Sequence, residues 1–450
     1  MKKHLLILLL IPFWTAQAAA QTPDTLRLSV QDCIDLALKN NLELKNSQLE
    51  IDKAHAVKKE AWALYFPSVS AQALAFDAKE PQLTLGIDDI PNAFVRQTLY
   101  NLYAQYGLQL GLDKEYSWAQ HGAVFNVLAT EPVFAGGRIF HGNQLAKLGI
   151  EAAEYQSLIK EDEIKLQTEV LYWQLVSLEE KIATLDQLDQ LLDTLEKDLA
   201  GAVEAGLAMP NDQFKVTLKK NESQLNRKKV DDGLILLKMA LAQHLGIDDW
   251  QTITLTDTLG VETDPTAYFH DAHEAVTLRP ESQLLDLSVK AETLKKKMTL
   301  GEALPSLMLG GSANYHTILE NTRPNFIAFA LLQVPLTDWH KTAYKLKQHH
   351  IEMEEAENTR LDLNGKMQLQ TSQAWFNLEQ SYLRVQMAQT AVNDAEANLK
   401  MESDYYEAGL IALSELLEAQ TLLKHSRDEL TDSRVEYRIN LVTYKQLTHF

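Results

Sequence analysis

Two acidic side chains near the end of the chain are well placed for ligand chemistry. Glu415 and Glu418 are three residues apart, so a helix would place both carboxylates on one face. The alternative is that both are ordinary solvated charges, since most glutamates lie on protein surfaces.

Histidines offer a second kind of chemistry, because imidazole is a common metal ligand. His270 and His273 occur in HDAHE, and His349 and His350 occur in KQHH. Histidines on the solvent face of a helix are far more common than histidine ligands. We therefore predict no metal site and no cofactor.

Catalytic chemistry lacks a comparable signal. No nucleophile, base and orienting acid lie at a spacing typical of an active site. The GGR segment, residues 136–138, lacks the spacing and the Lys-Ser/Thr pair of a phosphate-binding loop. We predict a strand-to-helix bend at GGR, no catalytic residues and no enzymatic activity.

The elements that must position these residues are mostly long helices. Residues 139–203 contain no proline, and apolar residues recur every three or four positions, as in helices of coiled-coil type. A helix of this length extends roughly 100 Å at its usual rise per residue. Similar patterns predict helices over residues 31–65, 211–245, 275–303, 341–407 and 414–447.

A Glu-Ala-Gly-Leu phrase interrupts the helical pattern twice, at residues 204–207 and 407–410. Glycine suits the left-handed conformation that ends a helix. We therefore predict that Gly206 and Gly409 each reverse a long helix into its partner.

Two regions between the helices have the composition of strands. Residues 68–131 and 306–334 each contain a pair of runs rich in small, β-branched and aromatic residues. Runs of about ten residues match a tilted strand that crosses a bilayer. We predict two β-hairpins, the first with a long loop at residues 76–116. The residue pattern leaves open which face would meet lipid.

The chain contains an internal repeat. The order helix, hairpin, long helix, turn and helix occurs twice, and PVFAGGR at Pro132 matches PLTDWHK at Pro335, 203 residues later. The predicted first repeat covers residues 21–245 and the second covers residues 275–450. Residues 246–274 form an inter-repeat segment.

The first twenty residues and the overall composition restrict location and partners. Residues 1–20 combine Lys2 and Lys3 with a short apolar run and alanines, which predicts a cleaved signal peptide and export. The single cysteine, Cys33, allows no internal disulfide, and we expect it to pack in a core. A balance of 62 acidic to 42 basic residues argues against a nucleic-acid partner.

Membrane strands impose a requirement for assembly. An open edge would leave backbone groups unpaired in hydrocarbon, so the strands must close into a barrel of about eight or more. One chain supplies only four predicted strands. We predict a homo-oligomer, and the residues leave open whether it has two or three copies.

The order of ALKNNLELK, PVFAGGR and YEAGLIALSELLEAQ resembles the TolC family of outer membrane efflux proteins over essentially the whole exported chain. The resemblance implies a mainly α fold with transmembrane β strands. It further implies a homotrimer that forms a 12-stranded β-barrel in the outer membrane and a long α-helical barrel in the periplasm. The implied function is the exit duct of a tripartite efflux or secretion system, with a periplasmic adaptor and an inner-membrane pump. Residues 246–274 would join a belt around the helices, the alternative being a plain linker.

The resemblance also assigns candidate sites. Glu415 and Glu418 match acidic positions that ring the closed channel entrance, and Asp212 and Tyr406 match positions that lock it. An Arg that usually joins this lock is replaced by Ile411, which puts part of the closing network in doubt. The adaptor-docking tip would contain Gly206, Leu207, Gly409 and Leu410.

Other classes of protein fit the sequence less well. A periplasmic adaptor, or a structural coiled-coil protein of the envelope, would not need a tandem repeat with two strand pairs. A binding protein or hydrolase would need pocket residues on loops, and the only long loop in the predicted arrangement is at residues 76–116. That loop is expected to lie outside the cell as a partial lid. The residues do not identify the cargo, the pump or the adaptor.

Overall fold

The computed structural model describes residues 26–80, 83–118, 120–206, 208–318 and 323–449. The predicted signal peptide lies outside these residues and stays a prediction. Among the helices of the described residues, none is both long enough and apolar enough to cross a membrane.

Nine helices and eight strands make up the described part of the chain. In chain order they are β1 (Leu26–Leu28), α1 (Val30–Asn40), α2 (Leu42–Ala63), β2 (Ser68–Asp77), β3 (Leu83–Gly86), α3 (Ala93–Leu110), β4 (Glu115–Trp118), β5 (His121–Ala135), α4 (Arg138–Glu204), α5 (Pro210–Leu245), β6 (Ile253–Leu255), α6 (Ala272–Leu278), α7 (Pro280–Glu302), β7 (Ser306–His316), β8 (Asn325–Gln333), α8 (Trp339–Glu407) and α9 (Leu413–Thr448).

The two longest helices confirm the predictions from apolar spacing. α4 has 67 residues and α8 has 69, against predictions of 139–203 and 341–407. Neither helix contains a proline, so the hydrogen-bond ladder of each continues without a break. Each helix leads into a turn and then into a 36-residue partner, α5 or α9.

The predicted strand pairs are confirmed and join into one antiparallel sheet. The strand order is β2-β5-β7-β8, so β2 and β8 are the two edge strands. Each edge strand has one row of backbone groups with no partner strand in this sheet. The register of β5 against β7 shifts between Pro132 and Phe134, close to the end of β5.

The register separates the two faces of this sheet, which the residue pattern alone did not do. Directly opposite residues in an antiparallel pair lie on the same face. One face is apolar along the middle of all four strands and contains Val69, Ala71, Ala73, Phe125, Val127, Ala313, Tyr315, Phe326 and Ala328. The other face is mixed, with the polar residues Ser70, Gln72, Asn126, Thr130, Ser312 and Asn314 beside the apolar residues Leu74, Val124, Leu128, Ile327 and Phe329.

The bend after β5 explains the two glycines of PVFAGGR. Gly136 and Gly137 have φ values of 64° and 79°, a conformation that favours glycine. Gly136 also lies against the backbone of Gly301, so closely that a Cβ on Gly136 would overlap the Gly301 carbonyl oxygen. The predicted strand-to-helix bend is confirmed, and its sharpness depends on two glycine backbones in contact.

The segment predicted as one long loop, residues 76–116, is largely structured. β3 and β4 form a two-stranded antiparallel sheet, and α3 lies between them in the chain. The Asn92 side chain caps α3 by accepting hydrogen bonds from the backbone N–H groups of Phe94 and Val95. Gly111 ends the helix at a φ of 63°. The segment is therefore a folded insertion between β2 and β5.

The inter-repeat segment pairs with the start of the described chain. β6, within residues 246–274, forms a parallel pair with β1. The segment therefore contributes a strand instead of being a plain linker. Cys33 in the adjacent helix α1 is completely buried, as expected for a packing residue.

The chain divides into two compact units. Among the described residues, one comprises those within 26–46, 159–278 and 368–449, and the other comprises those within 47–158 and 279–367. The first unit contains the β1-β6 pair and the helix turns at Gly206 and Gly409. Its buried apolar clusters surround Tyr172, Tyr437 and Leu416. The second unit contains the four-stranded sheet and the folded insertion.

Candidate functional site

The two glycine turns have the same backbone geometry. Gly206 and Gly409 both have a φ of 72°. The N–H of Gly206 donates to the carbonyl of Val203 at 3.0 Å, and the N–H of Gly409 donates to the carbonyl of Tyr406 at 3.0 Å. The N–H of each glycine thus provides a hydrogen-bond donor to a carbonyl at the end of a long helix. The predicted reversal of each long helix at a glycine is confirmed.

The leucine after each glycine is the candidate docking residue. The Leu410 N–H donates to the carbonyl of Tyr405 at 2.9 Å, which completes the glycine cap. The Leu410 side chain is 71% exposed. Leu207 lies outside the described residues. The backbone of Leu410 is therefore fixed by a hydrogen bond in the second turn, and the side chain of Leu410 is exposed to solvent.

Asp212 and Glu415 occupy equivalent places in the two repeats. Each is the third residue of its helix, and its N–H donates at 3.0 Å to the carbonyl of the residue before the helix, Met209 or Ala412. An acidic side chain in the first turn is stabilised by the positive end of the helix dipole. The predicted lock residue and the predicted ring residue are therefore counterparts.

The charge around these counterparts differs between the repeats. Asp212 forms an ion pair with Lys215 at 3.0 Å. The residue that corresponds to Lys215 in the second repeat is Glu418, so Glu415 has a like charge where Asp212 has an opposite one. Both glutamates are exposed, and neither forms an ion pair within the described residues. The second turn therefore carries two uncompensated negative charges.

The predicted lock residues line one groove. Asp212, Tyr406 and Ile411 border a space of about 1200 Å³, together with Asp198 and Asp404. Burial, and then the charges of Asp212 and Asp198, raise the pKa of the Tyr406 hydroxyl. Within the described part of the chain, no hydrogen bond joins Asp212 to Tyr406. The structure brings the two lock residues to one groove without a direct bond between them.

Apolar packing forms the base of the same region. The buried members of this cluster come from α4, α5 and α9 and are Leu192, Leu195, Leu199, Val216, Leu413, Leu416 and Leu417. Burying one such side chain stabilises the folded state by about 1.5–3 kcal/mol. Ile411 borders the groove next to this cluster, where an Arg was expected. Apolar contact therefore holds the turns of one chain together.

Ion pairs that sequence reasoning did not single out join neighbouring helices. Lys220 of α5 contacts Asp193 and Glu196 of α4 at 2.6 and 2.8 Å. Lys181 of α4 contacts Asp432 of α9 at 2.6 Å. Single exposed pairs stabilise little, but several along one helix pair fix its alignment. The sequence signal for these ion pairs is a basic residue on one helix at the level of an acidic residue on the helix predicted to pack beside it.

The candidate histidines have separate environments. His349 Nδ1 lies 2.7 Å from a Glu352 carboxylate oxygen, and its Nε2 lies 2.9 Å from the Thr299 hydroxyl. His350 lies 3.5 Å from Glu354 instead. In HDAHE, His273 Nδ1 lies 2.9 Å from the amide nitrogen of Gln368. Adjacent histidines in the sequence therefore do not share a site.

Comparison with known proteins identifies the class of this fold. A membrane protein from Pseudomonas aeruginosa superposes with a TM-score of 0.75 at 15% identity and covers 93% of both chains. The Campylobacter jejuni CmeC outer membrane channel superposes with a TM-score of 0.73 at 14% identity, over 93% of this chain and 85% of its own. The outer membrane protein VceC from Vibrio cholerae gives 0.72 at 14% identity, over 93% and 96%. The fold is that of TolC-like outer membrane channels.

Sequence similarity to the family is concentrated in the second repeat. Residues 278–448 match the family described as outer membrane efflux protein. No curated protein matches the sequence of this chain. The second repeat therefore matches a family of outer membrane efflux proteins, and the described chain has the fold of TolC-like outer membrane channels.

Proposed function

We propose that this protein is the outer membrane exit duct of a tripartite efflux or secretion system and works as a homotrimer. The observation that carries the proposal is the four-stranded sheet with two unpaired edge strands, β2 and β8. Each backbone group left unpaired in hydrocarbon costs several kcal/mol. Further copies of the chain must cover these edges if the sheet crosses a membrane. Three copies would give twelve strands, as the resemblance to TolC implies.

The two faces of the sheet support a membrane location. The apolar face, from Val69 on β2 to Phe326 on β8, fits contact with lipid. The opposite face presents Gln72, Asn126 and Asn314, which fit a water-filled interior. The same sheet thus supplies one surface for hydrocarbon and one for an aqueous path. The protein would pass substrates along this path and carry out no chemistry on them.

The helix turns support a role in docking and closure at the periplasmic end. Exposed Leu410 offers an apolar contact to a periplasmic adaptor, which connects the duct to an inner-membrane pump. Three copies would bring six carboxylates together from Glu415 and Glu418. Such a ring attracts divalent cations, which would block ion flow through the entrance. The alternative of a periplasmic adaptor lacks support, since the chain has two strand pairs and two helical hairpins.

Native mass spectrometry of the exported protein in detergent tests the assembly. The expected result is an oligomer of three chains. A monomer at all accessible concentrations would refute the proposed duct, and an oligomer of two would refute the trimer.

The proposed ring is tested separately by replacing Glu415 and Glu418 with Gln and measuring block by a divalent cation in planar bilayers. Removing six charges from the trimer should raise the blocking concentration at least tenfold. Glu354→Gln, at another exposed position, serves as the matched control. Unchanged block in the double variant would show that these residues do not form the ring, while conduction itself would still support the duct.

A further inference from the structure

A cluster of three possible metal ligands lies in the second unit, away from the helix turns. Glu292 comes from α7, and His349 and Glu352 come from α8. One ligand atom from each residue lies within 4.8 Å of the other two. Glu292 is 57 residues from His349 and 60 residues from Glu352 along the chain, so no local motif in the sequence shows the whole cluster.

Glu292 supplies the first indication of a cation site. One of its carboxylate oxygens accepts a hydrogen bond from Lys295 at 2.7 Å. The other oxygen is shielded from solvent and has no hydrogen-bond partner among the described residues. A buried carboxylate oxygen without a partner is unfavourable. A metal ion bound to this oxygen would act as its partner.

His349 supplies the second indication. Its Nδ1 lies 2.7 Å from Glu352, and its Nε2 lies 2.9 Å from the hydroxyl of Thr299, which is buried. A hydroxyl can donate or accept, so Thr299 remains bonded to Nε2 in either histidine tautomer. Because a carboxylate accepts, Nδ1–H donates to Glu352 in this geometry and Nε2 accepts from the Thr299 hydroxyl. An ion bound at Nδ1 would require the other tautomer, in which Nε2–H donates to Thr299. A hydrogen bond on the far nitrogen is the arrangement that orients histidine ligands in metal sites.

The three ligand atoms, which lie within 4.8 Å of one another, must move by roughly 1 Å to hold an ion. Metal–ligand bonds of about 2.0–2.2 Å place neighbouring ligands of a tetrahedral ion roughly 3.4 Å apart. The contact between His349 and Glu352 must therefore open by less than about 1 Å. The Glu352 side chain is 50% exposed, which leaves it free to move. A water molecule would complete the coordination.

We propose that Glu292, His349 and Glu352 form a binding site for a divalent transition-metal ion, with Zn²⁺ as the best match. One imidazole nitrogen and two carboxylate oxygens suit this class of ion. Cu⁺ and Ag⁺ prefer thiolate or thioether ligands, whereas Mg²⁺ and Ca²⁺ prefer oxygen alone. The proposal is independent of the proposed duct function, because metal binding is measured without transport.

Isothermal titration of ZnCl₂ into the chelator-treated full protein in detergent tests this site. The expected result is one saturable site per chain. Glu352→Gln and His349→Gln should each weaken the affinity for Zn²⁺ at least tenfold. Thr299→Val, which removes only the orienting hydroxyl, should weaken it about tenfold to a hundredfold.

His350→Gln is the matched control, because His350 also lies beside a glutamate but has no third ligand within the described residues. This variant should bind Zn²⁺ with wild-type affinity. Absence of a saturable site in the wild type would overturn the proposal, as would unchanged affinity in both His349→Gln and Glu352→Gln. Exposed Glu352 provides the decisive variant if His349→Gln does not fold.

Discussion

The contact between Gly136 and Gly301 gives a prediction whose magnitude follows from the structure. An alanine Cβ at position 136 would overlap the Gly301 carbonyl oxygen and lie 2.9 Å from its carbonyl carbon. Both neighbours are backbone atoms, so the clash cannot be relieved by rotating a side chain. Forcing extra atoms into a packed site costs about 1–3 kcal/mol. The left-handed φ of 64° adds roughly 1–2 kcal/mol for a non-glycine residue.

Gly136→Ala should therefore destabilise the protein by about 2–5 kcal/mol. Gly137→Ala is the matched control, since its φ is also left-handed but the nearest atom to its Cβ is the His141 side chain at 3.6 Å. The control should lose only the conformational contribution of about 1–2 kcal/mol. Thermal unfolding in detergent, followed by circular dichroism at one heating rate, ranks the two variants. Equal unfolding temperatures for both variants would refute the close backbone contact.

Three further predictions concern the first unit. Burial raises the pKa of the Cys33 thiol to about 12, so the single thiol should resist a thiol reagent in the native protein and react once per chain after unfolding. Burial also raises the pKa of the Glu169 carboxyl above its ordinary 4.5. The protonated carboxyl therefore contributes its full stabilisation below about pH 4.5, and this stabilisation is lost as the pH rises through the raised pKa. Glu169→Gln should unfold at a higher temperature than the wild type at pH 8 but not at pH 4. Ile411→Arg would place a cation in the groove beside Asp212 and Asp404 and should lower basal conductance in planar bilayers, whereas Ile411→Met should not.

The helices were predictable because their signals are local. The apolar spacing and the lack of proline in residues 139–203 predicted α4 to within one residue at each end. Gly206 and Gly409 predicted the turns because a left-handed helix end needs glycine. The insertion also had a local signal that was not used: Asn92 and Gly111 are typical of the first and last caps of a helix.

The remaining features depend on contacts between distant segments. The lipid face of the sheet could not be assigned from alternation, because β8 has apolar residues on both faces, such as Phe326 and Ile327. Only pairing with Ala313 and Ser312 of β7 separates those faces. Likewise, His349 was grouped with its neighbour His350, whereas the fold places it beside Glu292 of another helix. Tertiary contacts decide both cases.

The central claim is that this chain forms a conducting duct, and single-channel recording in planar bilayers tests it most directly. Protein purified as the detergent-solubilised oligomer should give discrete, reproducible conductance steps. Addition of divalent cations on the side of the helix turns should reduce them, because the uncompensated Glu415 and Glu418 lie there. A well-folded, correctly inserted oligomer that conducts no ions would contradict the account.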